Sequence, residues 1–258
     1  MTTLESLKTQ INSVISLYSN GQMQEALDSV EALIKDYPNE SLLYNVGGAC
    51  YAGLGQLDAA VKSYERALDI KPDYAEAHNN LGVTLQGLSQ LDEAVRSLEK
   101  ALDIKPDYAE AHNNLGNAFK DLGQLDTAVK SYEQAIYIKP DFADAHYNLG
   151  SVLKEIGQLD TAVKSYEQVL SIKPGYTEAF NNLGSVLEEL GQLDTAVKSY
   201  EKILAINPDF AEAHYNLGVT LEGLGQLDEA LKSYEQAIDI KPDYAEAYYN
   251  LGGTLEEL

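Results

Sequence analysis

The sequence predicts an all-α solenoid of antiparallel helix pairs, and three observations carry that prediction. Pro38, Pro72, Pro106, Pro140, Pro174, Pro208 and Pro242 are all the prolines in the 258 residues, and each follows the last by 34. A fixed period of about 20 to 50 residues marks stacked structural repeats, because one unit cannot bury its apolar face alone. Each period holds two stretches whose apolar residues fall three and four apart, the spacing of one helix face. The segments joining these stretches are too short for any further element.

Copies begin at about Leu7, Ser41, Ala75, Ala109, Ala143, Thr177 and Ala211, and a lone first helix follows over 245–258. The expectation is one array over 1–258 with a degenerate first copy, which has Ser13-Val14 where others have Leu-Gly. In the copy from Ala109 to Phe142, the first helix is predicted from Ala109 to Leu122, with Leu115, Ala118, Phe119 and Leu122 on its apolar face. Gly123 suits the left-handed residue that ends many helices. The second helix is predicted from Leu125 to Ile138, with Val129, Tyr132 and Ile136 in phase. Lys139 suits the negative end of the helix dipole, and Pro140 stops the helix. Asp141 with Asp144 three residues on reads as a variant capping box for the next first helix. The Leu-Gly glycine recurs as Gly48, Gly82, Gly116, Gly150, Gly184, Gly218 and Gly252. Glycine inside a helix costs about 1 kcal/mol against alanine, so its recurrence predicts close approach of the paired helices.

At these residues the chain resembles the tetratricopeptide repeat family. Leu115, Gly116, Phe119, Ala128, Tyr132, Ala135 and Pro140 match the family pattern in one copy. Leu149, Gly150, Ala162, Tyr166 and Pro174 match it in another. Leu98 replaces the tyrosine in one copy, and His or an aromatic stands where the family often has an early Trp. The arrays of O-linked N-acetylglucosamine transferases are similar. The resemblance implies a right-handed superhelix whose first helices line a concave, peptide-binding surface.

Composition limits the partners. Eighteen basic and 41 acidic residues leave a net charge of −23. Nucleic acids and anionic membranes are held chiefly through Lys and Arg, so neither is an expected partner. One cysteine, Cys50, allows neither an internal disulfide nor a cysteine zinc site, and it reads as a small buried apolar residue. Met1 to Lys8 lacks a basic segment followed by an apolar run, and no stretch of about 18 apolar residues occurs. The expected setting is therefore soluble, reducing and cytoplasmic. No cofactor, metal or catalytic residue is expected. His78, His112, His146 and His214 share one repeat position, and stacked helices about 8–10 Å apart do not converge four rings on one ion.

The candidate binding residues form columns. Asn80, Asn114, Asn148, Asn182, Asn216 and Asn250 each precede Leu-Gly, and Val46 breaks the column in the second copy. Asn is a mediocre helix former, and its amide offers two donors and two acceptor sites, which matches an extended peptide backbone. The competing reading is that each amide bonds a neighbouring helix or water. One residue earlier stand Asn79, Asn113 and Asn181, or Tyr147, Tyr215 and Tyr249. A position accepting both types is expected to be exposed and to contact a ligand. Glu76, Glu110, Asp144, Glu178, Glu212 and Glu246 lie one turn before the column. Glu188, Glu222 and Glu256 lie beyond it, with Lys120 and Lys154 in their place in the middle copies. The expected groove is acidic and its ligands are neutral to basic protein or peptide segments.

The function expected is a peptide-binding scaffold. The alternatives are a recruitment arm of a larger enzyme, of glycosyltransferase or sulfotransferase type, and a self-assembling module. Because the sequence stops after a first helix, it reads as a shortened chain. Tyr248, Leu251 and Leu255 are expected to be partly uncovered, which favours self-association through that helix.

Overall fold

A computed structural model describes residues 3–258, with side chains from Leu7 onward. The leader expectation at Met1–Lys8 falls partly outside the described residues. Fifteen helices and no strand occur among the described residues. They form two compact units, Met1–Pro140 and Asp141–Leu258, with the boundary at a repeat junction.

In the first unit the helices are α1 (Thr3–Ser19), α2 (Met23–Asp36), α3 (Ser41–Gly53), α4 (Leu57–Ile70), α5 (Ala75–Gly87), α6 (Leu91–Ile104), α7 (Ala109–Asp121) and α8 (Leu125–Ile138). In the second they are α9 (Ala143–Glu155), α10 (Leu159–Ile172), α11 (Thr177–Glu189), α12 (Leu193–Ile206), α13 (Ala211–Gly223), α14 (Leu227–Ile240) and α15 (Ala245–Glu257). Within each unit every helix packs on the next, and each first helix also touches the following first helix. The helices of the later copies begin where the periodicity places them. The first is longer than expected, starting at Thr3 rather than near Leu7.

The core is the seam between the helices of a pair. Ala128, Tyr132 and Ala135 of α8 are fully buried, as are Ala162, Tyr166 and Val169 of α10. A Cβ built on Gly116 would lie 2.5 Å from Cε1 of Tyr132, and one on Gly184 would lie 2.5 Å from Cζ of Tyr200. In the copy without the tyrosine, a Cβ on Gly82 would lie 2.6 Å from Cγ of Leu98. The recurrent glycine therefore makes room for a core side chain of the second helix, and close packing offsets its propensity cost.

The turns confirm one local expectation and correct another. Gly123 has φ 72°, and Gln124 N–H donates to Phe119 O at 2.8 Å. This left-handed stop satisfies the end of the first helix. The capping box is not formed. The residue at the cap is Phe142, not Asp141, and no side chain bonds the helix N-terminus there. The same holds at Tyr108 and Tyr176. From Pro72 onward the turn after the proline brings the aromatic to the cap, two residues past the proline, whereas after Pro38 the cap is Glu40.

Candidate functional site

An α-helix turns about 100° per residue, so each first helix has two opposed faces. In α7, His112, Leu115 and Phe119 share one; Glu110, Asn114 and Asn117 share the other. The histidines are tied into the fold. His78, His112 and His214 hold the carbonyls of Pro72, Pro106 and Pro208 at 2.9, 3.0 and 2.9 Å. A carbonyl only accepts, so the proton sits on Nε2. Tyr44 Oη donates to Pro38 O at 3.0 Å in the equivalent place. His146 is buried and partnered. Burial raises the Cys50 thiol above its usual value, as suits a structural residue. No group of three or more His, Cys, Asp or Glu that could hold a metal occurs among the described residues.

The asparagine column reaches back to the preceding copy. In the first unit Asn80 Nδ2 donates to Asn45 Oδ1 at 3.1 Å, and Asn114 Nδ2 to Asn79 Oδ1 at 2.9 Å. In the second, Asn182 donates to Tyr147 Oη at 3.0 Å, Asn216 to Asn181 Oδ1 at 2.9 Å, and Asn250 to Tyr215 Oη at 3.2 Å. Asn148 is also partnered. One amide N–H per residue thus locks adjacent first helices together. The amide oxygens of Asn182, Asn216 and Asn250 have no protein donor among the described residues, and Asn216 keeps a second N–H as well, while the Asn182 and Asn250 amides also lie against the core hydroxyls of Tyr166 and Tyr234.

The neighbouring column is not the open contact surface expected from sequence. Asn79 and Asn113 are each only 6% exposed. Asn181, Tyr147 and Tyr215 are half-buried. Tyr147 stacks on the loop ring of Tyr176 at 5.2 Å, and Tyr215 lies against Tyr244 at 5.0 Å. Asn79, Asn181, Tyr147 and Tyr215 accept the next copy's amide, and the two tyrosines also pack on the loop aromatic, so what the Asn and Tyr share is an acceptor oxygen. Tyr249 alone of the set is exposed, at 83%.

Cations that the sequence reading did not place beside the groove also approach the acids. Lys105, Lys139 and Lys173, at the ends of second helices, reach Glu76, Glu110 and Asp144 at 3.9, 3.3 and 2.9 Å. The lysine just before five of the seven prolines is the signal that could have found them. All six side chains are about half exposed, so the pairs balance charge without adding much stability. Lys154 is half-buried, pairs with Glu189 at 3.1 Å and donates to Ser185 Oγ at 2.7 Å. Lys120 is half-buried and partnered. Glu188 accepts from Thr220, and burial raises its carboxyl above the usual carboxylate range. Glu222 accepts from the core hydroxyl of Tyr234 at 2.5 Å. Acids without a lysine ion pair, Glu178, Glu212, Glu246 and Glu256, lie in the second unit.

A family model described as a TPR repeat matches residues 48–89, 87–123, 116–157, 151–191, 187–225 and 223–258. No curated protein matches the chain. Among solved structures, YrrB, described as a TPR protein with an unusual peptide-binding site, is 26% identical, with a TM-score of 0.64 over 74% of this chain and 98% of its own. MamA is 28% identical, with a TM-score of 0.61 over 64% of this chain and 97% of its own. PilF of Pseudomonas aeruginosa shares the fold at 19% identity, with a TM-score of 0.71 over 83% of this chain and 97% of its own. No described helix is long and apolar enough to cross a membrane.

Proposed function

This chain belongs to the tetratricopeptide repeat family, and from that premise we propose that it is a non-catalytic scaffold holding extended protein segments along its first-helix asparagines. The observation carrying this reading is the spare bonding capacity of Asn182, Asn216 and Asn250. Each amide is oriented by one bond to the preceding copy and keeps its oxygen as an acceptor for a peptide N–H, and Asn216 keeps a donor as well. Pre-orientation lowers the ordering cost of binding. The peptide site in the description of YrrB is consistent with this role. The acids of the second unit favour neutral to basic segments.

A peptide library selected on the intact protein tests this. Neutral to basic sequences are expected, with affinity falling as salt rises, since exposed charges are screened beyond about 8 Å at physiological ionic strength. Replacing Asn182, Asn216 and Asn250 together by Ala should weaken the selected peptide at least about tenfold, the loss of more than one hydrogen bond. Tyr132→Phe is the control, because it removes a buried hydrogen bond of the core and leaves every column amide and its acceptor in place. Selection of acidic peptides refutes the charge preference. Equal affinity of the triple variant refutes the asparagine site.

A further inference from the structure

We propose that the opposite side of the first helices carries a second kind of site, a cleft for a small amphiphilic carboxylate, present in the second copy and again in the sixth. Each cleft opens between consecutive second helices above the first helix between them, on the face away from the asparagines. In the second copy it has a volume of ≈ 300 Å³. Leu27, Val30 and Ile34 form one wall, Tyr44 and Tyr51 the floor, and Lys62 and Arg66 the rim. In the sixth copy, Val163 and Leu170 form the wall, Phe180, Leu183 and Leu187 the floor, and Lys198 and Lys202 the rim, around ≈ 540 Å³. The lining positions correspond through the 34-residue period, so one device occurs twice.

In the second copy the opening has a simple origin. Leucine stands at this phase in the later copies, including Leu183 on the floor of the sixth-copy cleft, but Gly47 stands here. The missing side chain leaves apolar surface facing a void.

A second feature marks the same two copies. Ser63 Oγ donates across to Tyr44 O at 2.8 Å, and Ser199 Oγ to Phe180 O at 3.2 Å. In the fourth, fifth and seventh copies the matching Ser131, Ser165 and Ser233 bond back within their own helices at 3.1 Å. Those three copies also carry Gln134, Gln168 and Gln236 where the clefts have Arg66 and Lys202.

The chemistry selects the ligand. An apolar floor takes a hydrocarbon body, and the paired cations on one turn of the rim take a carboxylate through charge-assisted bonds. Lys62, Lys198 and Lys202 are exposed and form no ion pair among the described residues. Arg66 touches Asp69 only at 3.7 Å. Each cleft also holds one acid against its two cations: Glu31, which is bonded by Tyr51 Oη at 2.7 Å, and Glu167 at the matching position. In a chain of net charge −23, two basic rims over apolar clefts are sites for an anion that brings its own apolar surface.

The test is a titration of the whole protein with octanoate, octylamine and octanol, followed by amide shifts and calorimetry. Octanoate should shift residues of α2–α4 and of 163–202 with a stoichiometry of two. Octylamine and octanol should bind about tenfold more weakly, lacking the charge-assisted contact. Gly47→Leu restores the side chain of the other copies. Leu183 lines the second cleft without closing it, so the variant should weaken the shifts in α2–α4 rather than abolish them, and leave those near Phe180 unchanged. A Cβ at this position lies 3.2 Å from Val30 Cγ1, so the double variant Lys62→Gln/Arg66→Gln supplies a rim change that adds no atoms to the core, though it removes the guanidinium over the Tyr44 ring. It should weaken the first site selectively. Equal binding of octanoate and octylamine, octanoate shifts unchanged by both variants, or no shifts at either cleft overturns the proposal.

Discussion

Ser89 has φ 59°, the one non-glycine with positive φ among the described residues, where Gly55, Gly123, Gly157, Gly191 and Gly225 turn the equivalent corner. A Cβ in the left-handed region crowds the following carbonyl, at about 1–2 kcal/mol. Ser89→Gly should raise stability by about 0.5–1 kcal/mol after the added freedom of the unfolded chain is counted, seen as a higher urea midpoint. The core tyrosines give a paired prediction. Tyr132 Oη donates to Asn117 Oδ1 at 2.8 Å, while Tyr166 Oη is buried without a hydrogen-bond partner among the described residues. Tyr132→Phe should cost about 1 kcal/mol and Tyr166→Phe should lie within a few tenths, because only the first loses a bond. Denaturant unfolding of the two variants checks the difference. The asparagine column itself was legible in the sequence, since a poor helix former recurring mid-helix asks for an explanation. The bonding of the residue before it was not. Asn and Tyr look unlike in sequence, and only the 35-residue step to the next amide shows that both supply an oxygen.

At the scale of the helix, the repeated glycine has opposite consequences at its two extremes. Gly116 faces Tyr132, so Gly116→Ala forces a Cβ into the ring and should cost about 1–3 kcal/mol. Nothing lies within 4 Å of a Cβ at Gly252. Gly252→Ala should therefore stabilise α15 by up to about 1 kcal/mol through propensity alone. Thermal melts of both variants should shift in opposite directions. The helix boundaries were legible because the apolar spacing, the glycine and the proline all mark the same places. The capping box was not, because which residue becomes the cap depends on the path of the turn after the proline. In α15 Leu251 is half-covered by packing near Leu221 and Tyr234, whereas Tyr248, Leu255 and Leu258 are 50%, 58% and 66% exposed. We propose that this face mediates self-association. Light scattering should show the apparent mass rising with concentration, and Leu255→Glu should reduce that rise. Identical monomeric masses for the two proteins at high concentration would remove the proposal.

Across the whole molecule the buried tyrosines share one titration behaviour. Burial, with nearby carboxylates adding at all but Tyr64 and Tyr166, pushes Tyr108 and Tyr244 up to about 12, and Tyr64, Tyr132, Tyr166, Tyr200 and Tyr234 further still. The unfolded phenol titrates near about 10. Above that pH the folded state retains protons that the unfolded state releases, so their contribution is fully present below about pH 10 and declines as pH rises through about 12. Melting temperature should fall steeply over that range, and tyrosinate absorbance should grow in step with the loss of helix. Phenolate appearing before helix is lost would contradict the burial of these rings. The 34-residue period, the two helices per copy, their ends and the place of each glycine were determined by the sequence alone, because spacing and backbone conformation act over a few residues. The tertiary structure decided which amide hydrogens are already used, which lysine meets which acid, and where the loss of one leucine at Gly47 leaves a cleft. Each of those depends on groups about one repeat apart in sequence, and helix periodicity is silent about how side chains from different copies meet across a packed interface.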